Sequence, residues 1–239
     1  MKRLAHPTRF ERVTSAFEGL LGGIFSFAFD GGLIKENPVR GVKRFADRKG
    51  QRYLSQTELV SLGKALREAE QKGENLFAIA ILKLLIFTGC RKGEIESLKW
   101  SEVDFQSDYL WPEDSKTGAK AIPLNAGAME TLNGIAALDG SDFVFPAHRG
   151  DGYYQGTLKV WMRIREEAGL NDVRLHDLRH SFASVAVSGG ASLPVIGTLL
   201  GHSSTTITQQ YAHLHDNPLR LATEAVGIKI TEAFSENDI

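Results

Sequence analysis

Apolar residues recur at Phe10, Val13, Phe17, Leu20, Ile24 and Phe27, with Leu21 and Phe25 beside them. That spacing predicts a helix over Thr8–Phe29 with a broad apolar face, ending at Gly31–Gly32. The next stretch, NPVRGVKRFADRKGQRY, is basic and broken by Pro38 and Gly41, which predicts an extended linker. One helix cannot bury so wide a face alone. Residues 1–49 therefore read as the tail of one domain, and 50–239 as another.

The second part opens with Ser55-Gln56-Thr57-Glu58, a capping-box spacing ahead of the periodic run Leu59–Glu70. Leu76–Thr88 is apolar nearly all round, which predicts a buried helix, and Gly89 interrupts it before Arg91–Leu98. The period then changes. VDFQSDYLW and AKAIPL flank turn residues at Pro112–Asp114 and Thr117–Gly118, predicting a small antiparallel sheet. Helices are expected near Ala126–Ala137, Gln155–Ala168, Leu175–Ser188, Leu193–Leu200, Ser204–His213 and Leu219–Ala233, with a short strand at Phe143–Phe145. The fold class is mainly α with a small antiparallel β-sheet.

Composition narrows this little. The chain has 239 residues, 42% of them hydrophobic and 24% charged, which is ordinary globular material. The longest apolar run is interrupted by Lys83, so no membrane span is expected. No apolar signal core follows the basic N-terminus. A single cysteine, Cys90, excludes an internal disulfide and fits a reducing cytoplasm. Net charge is −1, but residues 1–49 hold ten Lys/Arg against five Asp/Glu. That basic head of +5 leaves −6 for the rest, and permits an anionic partner without requiring one.

Candidate chemistry gathers in four stretches. In TGCRKGEIESLKW, Arg91 follows the buried helix and its glycine break, with Glu94 three residues on to orient it. In DSKTGAK, Lys116 rides a hairpin tip. In RLHDLRHSFAS, His176, Arg179 and His180 fall at i, i+3 and i+4 on one helical face. In GHSSTTITQQYAHL, Gly201 ends one helix, Ser203 or Ser204 starts the next, and His202 sits in the joint. Tyr211 lies seven residues past Ser204, about two turns, and so returns to the face of that capped end.

Taken singly, each has an ordinary alternative: a surface arginine, a solvated lysine, a partly buried histidine, a packing tyrosine. If the fold brings them together, two arginines, a lysine and two imidazoles would make a strongly cationic site, whose partner would be an anion. Planar guanidinium forks suit the non-bridging oxygens of a phosphodiester. No carboxylate cluster for Mg²⁺ and no GxxxxGK[ST] phosphate loop occurs. His176 and His180 at i, i+4 invite a metallohydrolase reading, weakened by the fixed guanidinium beside them and by the lack of a third ligand. Nucleophilic catalysis by a side chain remains, and Tyr211 fits it, because cationic neighbours would activate a phenol.

Arg91 in TGCRKGEIESLKW, Lys116 in SKTGA, His176 and Arg179 in HDLRHSFAS, His202 in LLGHSS and Tyr211 in TQQYAH, in this order, resemble the tyrosine recombinase (phage integrase) family across about Leu54–Leu214. SAFEGLLGGIFSFAFDGGLIKENPVRGVKRF resembles the last helix of that family's core-binding domain and the linker after it. The resemblance implies the integrase catalytic-domain fold and a site-specific DNA recombinase working without cofactor or metal. Tyr211 would attack the scissile phosphate to give a 3′-phosphotyrosyl link. Arg91 and Arg179 would clamp the non-bridging oxygens, His202 would add a hydrogen bond, and Lys116 would protonate the leaving 5′-oxygen. His176 would act as general base or position the phosphate, with Glu94 and His180 as supports. The partner would be double-stranded DNA, bound by a homotetramer of chains that are monomers in solution. A C-terminal helix over 216–234 would pack on a neighbouring protomer. The chain carries only the end of the core-binding domain, which predicts weak, salt-sensitive duplex binding. Two alternatives are a type IB topoisomerase-like strand transferase and a catalytically silent DNA-binding or assembly module.

Overall fold

The protein is described from a computed structural model, covering residues 9–40, 52–113, 121–201, 208, 209, 211, 223 and 226–228. Its chain forms two compact units, Met1–Gly50 and Gln51–Ile239. In the first, α1 runs over Arg9–Asp30. Leu20, Ile24 and Phe27, members of the apolar stripe, are exposed there.

In the second unit, α2 (Gln56–Gln71) starts at the expected capping box: the Ser55 side chain accepts from the Glu58 backbone N–H, and the Glu58 carboxylate accepts from the Ser55 N–H at 2.8 Å. Arg52 braces this corner, donating from Nη2 to Glu58 at 2.5 Å and from Nε to Asp172 at 2.8 Å. Its guanidinium holds the Glu58 carboxyl down at about 2, with the Ser55 N–H adding to the effect. Helix α3 (Leu76–Thr88) is buried on nearly every side. Lys83 interrupts its apolar run and reaches out to Glu70 at 3.0 Å. Around α3 pack α2, α4 (Lys92–Glu96), α5 (Ala126–Asn133), α6 (Thr157–Glu167) and α7 (Asp177–Ser188). Ile79, Ile81, Leu82, Leu84, Leu132, Phe145 and Trp161 fill this core. Each such side chain, fully buried, contributes about 1.5–3 kcal/mol of transfer free energy.

The sheet has the order β1 (Val103–Asp104), β2 (Tyr109–Leu110), β3 (Ile122–Pro123), all antiparallel. VDFQSDYLW is therefore a hairpin in itself and not one strand: Val103 pairs with Leu110 and Asp104 with Tyr109. The Asp104 carboxylate accepts from the N–H groups of Gln106 and Ser107, and Asp108 takes the left-handed conformation that closes the turn, φ 57°. Turn chemistry of Asp and Ser thus overrode the apolar alternation. Residues 114–120, with the second predicted turn and Lys116, lie outside the described residues.

The expected strand at Phe143–Phe145 is only a single bridge, Phe143 to Lys99. Helices α5, α6 and α7 are shorter than periodicity suggested, whereas α8 (Leu193–Leu200) has the expected bounds. A second, smaller apolar cluster joins the end of α7 to α8: Ala183, Val187, Ile196, Leu200 and Tyr211. The helices expected at Ser204–His213 and Leu219–Ala233 fall mostly outside the described residues. Among the described residues, no helix is long and apolar enough to cross a membrane.

Candidate active site

The site is built where three helix ends meet: the ends of α3 and α8 and the start of α7. Helix α3 stops because Gly89 adopts the left-handed conformation, φ 66°. No other residue fits here, since a Cβ would stand 2.5 Å from Phe182 and 2.9 Å from Leu200. The chain can thus turn directly under α7 and α8, and Arg91 emerges two residues later ahead of α4. Glu94 holds Arg91 at both ends, accepting from its backbone N–H at 2.9 Å and from Nη1 at 2.7 Å. The expected i+3 orientation is observed.

Arg179 stands in the first turn of α7, with only 5% of its surface exposed. Its Nη1 donates to the Gly89 carbonyl and its Nη2 to the Leu200 carbonyl, each at 2.6 Å. These oxygens end α3 and α8, where the helix dipoles place partial negative charge. Arg91 Nη2 reaches the next carbonyl along, Gly201, at 3.5 Å. Gly201 caps α8 in the left-handed conformation, as its position predicted. Two guanidinium groups are thereby tied to successive carbonyls. Burial, and then the Arg91 charge, weaken Arg179's hold on its proton, with Glu94 opposing; a guanidinium stays protonated regardless. What the arrangement stores is unbalanced positive charge over a desolvated base.

Asp177 anchors the front of α7. Its carboxylate is fully buried and accepts from the Arg174 backbone N–H and from Arg174 Nη2, both at 2.7 Å. Ser181 donates to the Asp177 carbonyl at 2.8 Å and accepts from the Leu54 N–H at 2.9 Å, pinning the start of the unit to this helix. His176 occupies the position just before α7, and its ring meets that of His180 edge to face at 5.0 Å. Burial, then Arg179, push the His176 pKa down. Burial, then His176, push His180 down to about 4, so both rings are neutral at pH 7.

Tyr211 is 1% exposed, within the small cluster. Gly197 on α8 permits this approach, because a Cβ there would lie 2.9 Å from Thr208 Oγ1. The phenol is held by His180, whose Nδ1 lies 2.7 Å from Tyr211 Oη. It also stands near enough to Arg179 to act on that charge. His180 was expected to be a partly buried support; its direct bond to the phenol was not foreseen. Sequence showed only that His180 shares a face with His176. The carbonyls of Gly89, Leu200 and Gly201 were also missed as anchors, although the glycines at 89 and 201 marked both helix ends.

Arg91, Glu94, His176, Arg179, His180 and Tyr211 thus come together. Lys116 and His202 lie outside the described residues. Among the described residues, no group of three or more His, Cys, Asp or Glu side chains is placed to hold a metal ion. Chemically, the cluster offers a paired cationic fork, neutral imidazoles and a phenol.

A family model described as the phage integrase family matches residues 52–217. Tyrosine recombinase XerC of Roseiflexus castenholzii is 28% identical over 98% of this chain and 79% of its own length. XerC of Erythrobacter litoralis is 30% identical over 87% of this chain and 69% of its own. The XerA recombinase crystal structure superposes with a TM-score of 0.58 at 26% identity, covering 72% of this chain, which spans 64% of that one. A lambda integrase tetramer bound to a Holliday junction superposes with a TM-score of 0.60 at 24% identity, over 80% of this chain and 59% of that one, a likeness of fold alone.

Proposed function

The chain belongs to the phage integrase family of tyrosine recombinases, enzymes that cut and rejoin DNA strands, and on that premise we propose how its own residues carry the reaction. The observation that carries the reading is the tethering of Arg91 and Arg179 to the successive carbonyls of Gly201 and Leu200, with the Tyr211 phenol beside them. A scissile phosphate lies between the guanidinium forks, which bind its non-bridging oxygens and gain strength as charge builds up on them. Tyr211 Oη bonds to phosphorus, the bond from phosphorus to the 5′-oxygen breaks, and a 3′-phosphotyrosyl link results. The phosphoester bond is exchanged and not hydrolysed, so a 5′-hydroxyl can reverse the step without ATP.

Two roles rest on the family resemblance: Lys116 protonates the leaving 5′-oxygen, and His202 donates to the phosphate. The substrate is duplex DNA. Four copies acting in two pairs would exchange strands, an assembly that rests on the family resemblance. In this reading residues 1–49 end a core-binding domain, 50–239 form the catalytic domain, and the segment after Tyr211 packs on a neighbouring copy in the cytoplasm.

A nicked suicide duplex, which loses its 5′-end on cleavage, tests the chemistry. Wild-type protein becomes covalently attached to the DNA, and Tyr211→Phe does not. An adduct formed by the Phe variant overturns the assignment of the nucleophile. Relaxation of supercoiled plasmid with no recombinant products would instead mark a topoisomerase.

A further inference from the structure

We infer that His180 is the immediate acceptor of the Tyr211 proton, a role the family resemblance would place on His176. The inference rests on the strand-transfer reading above and decides which imidazole serves it. The bond between His180 Nδ1 and Tyr211 Oη is 2.7 Å, the length of a strong hydrogen bond. His176 meets His180 ring edge to ring face at 5.0 Å, so the contact with the phenol described here is made by His180.

A general base must lie within hydrogen-bond reach of the proton it takes, and be free to take it. Around His180 stand Arg174, His176, Asp177 and Arg179, all from α7 or the turn before it, and Tyr211 from beyond α8. Burial and the cationic neighbours outweigh Asp177, so the ring is neutral, and with its proton on Nε2 the Nδ1 lone pair accepts from the phenol. Those surroundings alone make an imidazolium costly. A phosphodiester between Arg91 and Arg179 adds a negative charge, which offsets those cations and lets the ring hold a proton. Proton acceptance is thus coupled to the arrival of phosphate. In the forward step the Oη–P bond forms, the P–O5′ bond breaks, and the Oη proton passes to His180 Nδ1. The leaving oxygen takes a separate proton from Lys116. Rejoining runs both transfers backwards.

The first test needs no variant beyond Tyr211→Phe. In the ¹⁵N-histidine NMR spectrum of the whole chain, His180 Nδ1 should appear unprotonated and hydrogen-bonded, and its signal should move in Tyr211→Phe. A protonated Nδ1 overturns the proposal. The second test is single-turnover adduct formation by His180→Asn, which keeps an acceptor oxygen near the Nδ1 position but cannot take a proton. Its melting temperature is checked first. We expect a rate at least about 100-fold below wild type. A bridging 5′-sulfur leaving group should not restore it, because the missing step is proton acceptance and not donation. A His180→Asn rate within about threefold of wild type, with wild-type adduct present, overturns this inference alone. Absence of any wild-type adduct overturns the strand-transfer reading with it.

Discussion

The second unit, Gln51–Ile239, holds two apolar clusters built on different terms. The larger surrounds α3 with aliphatic and aromatic side chains from several helices, and its charged groups, such as Lys83, reach outward to partners. The smaller has Ala183, Val187, Ile196 and Leu200 around a phenol, next to a nearly buried guanidinium and two neutral imidazoles. One cluster spends its burial on stability. The other uses burial to hold polar groups away from water, where electrostatic interactions are strongest.

Cutting into each cluster should separate the two roles. Leu84→Ala, at a fully buried position in the large core, should cost about 2–5 kcal/mol in urea unfolding, with any loss of adduct formation following the unfolded fraction. Arg179→Leu should cost less stability, about 2–3 kcal/mol, from the two carbonyls left without their charged donor. It should nevertheless abolish adduct formation under conditions where the variant is fully folded. Retained activity in that variant would erase the contrast between the clusters.

Between about pH 6.5 and 4.5, before the lowered carboxyl of Glu58 begins to lose its contribution, acid should act chiefly on the small cluster. His180 titrates near 4 when folded and near 6.5 when unfolded, and His176 shifts the same way. Above pH 6.5 neither state binds a proton at these rings, and stability is flat. Between about 6.5 and 4 the unfolded chain takes up protons that the folded chain refuses, so stability falls with falling pH. With partial exposure discounted, His180 contributes on the order of 1–2 kcal/mol over this window. His180→Asn should flatten that part of the stability profile by a similar amount. The smallest effect belongs to the rim of the large core: Ser55→Ala removes an N-cap and should cost about 1 kcal/mol, with the single-turnover rate unchanged.

The capping box at Ser55, the buried helix α3 and the glycine stop at Gly201 were legible because each depends on residues within about one turn. The hairpin inside VDFQSDYLW was misplaced for an equally local reason: Asp104 satisfies two backbone N–H groups and bends the chain where alternation predicted it straight. Arg91, Arg179 and Tyr211 stood out as candidates by residue type and order. Their partners did not, because backbone carbonyls carry no mark in a sequence of side chains.

Sequence alone set the helical periodicity, the capping residues, the chain breaks at Gly89 and Gly201, and the set of groups able to meet a phosphate. Only the tertiary structure decided which oxygen each guanidinium holds and which imidazole meets the phenol. Helix signals arise between neighbours along the chain, whereas Arg179 finds Gly89 across 90 residues and His180 finds Tyr211 across 31. Those meetings follow from how α3, α7 and α8 pack, and packing depends on the whole core at once.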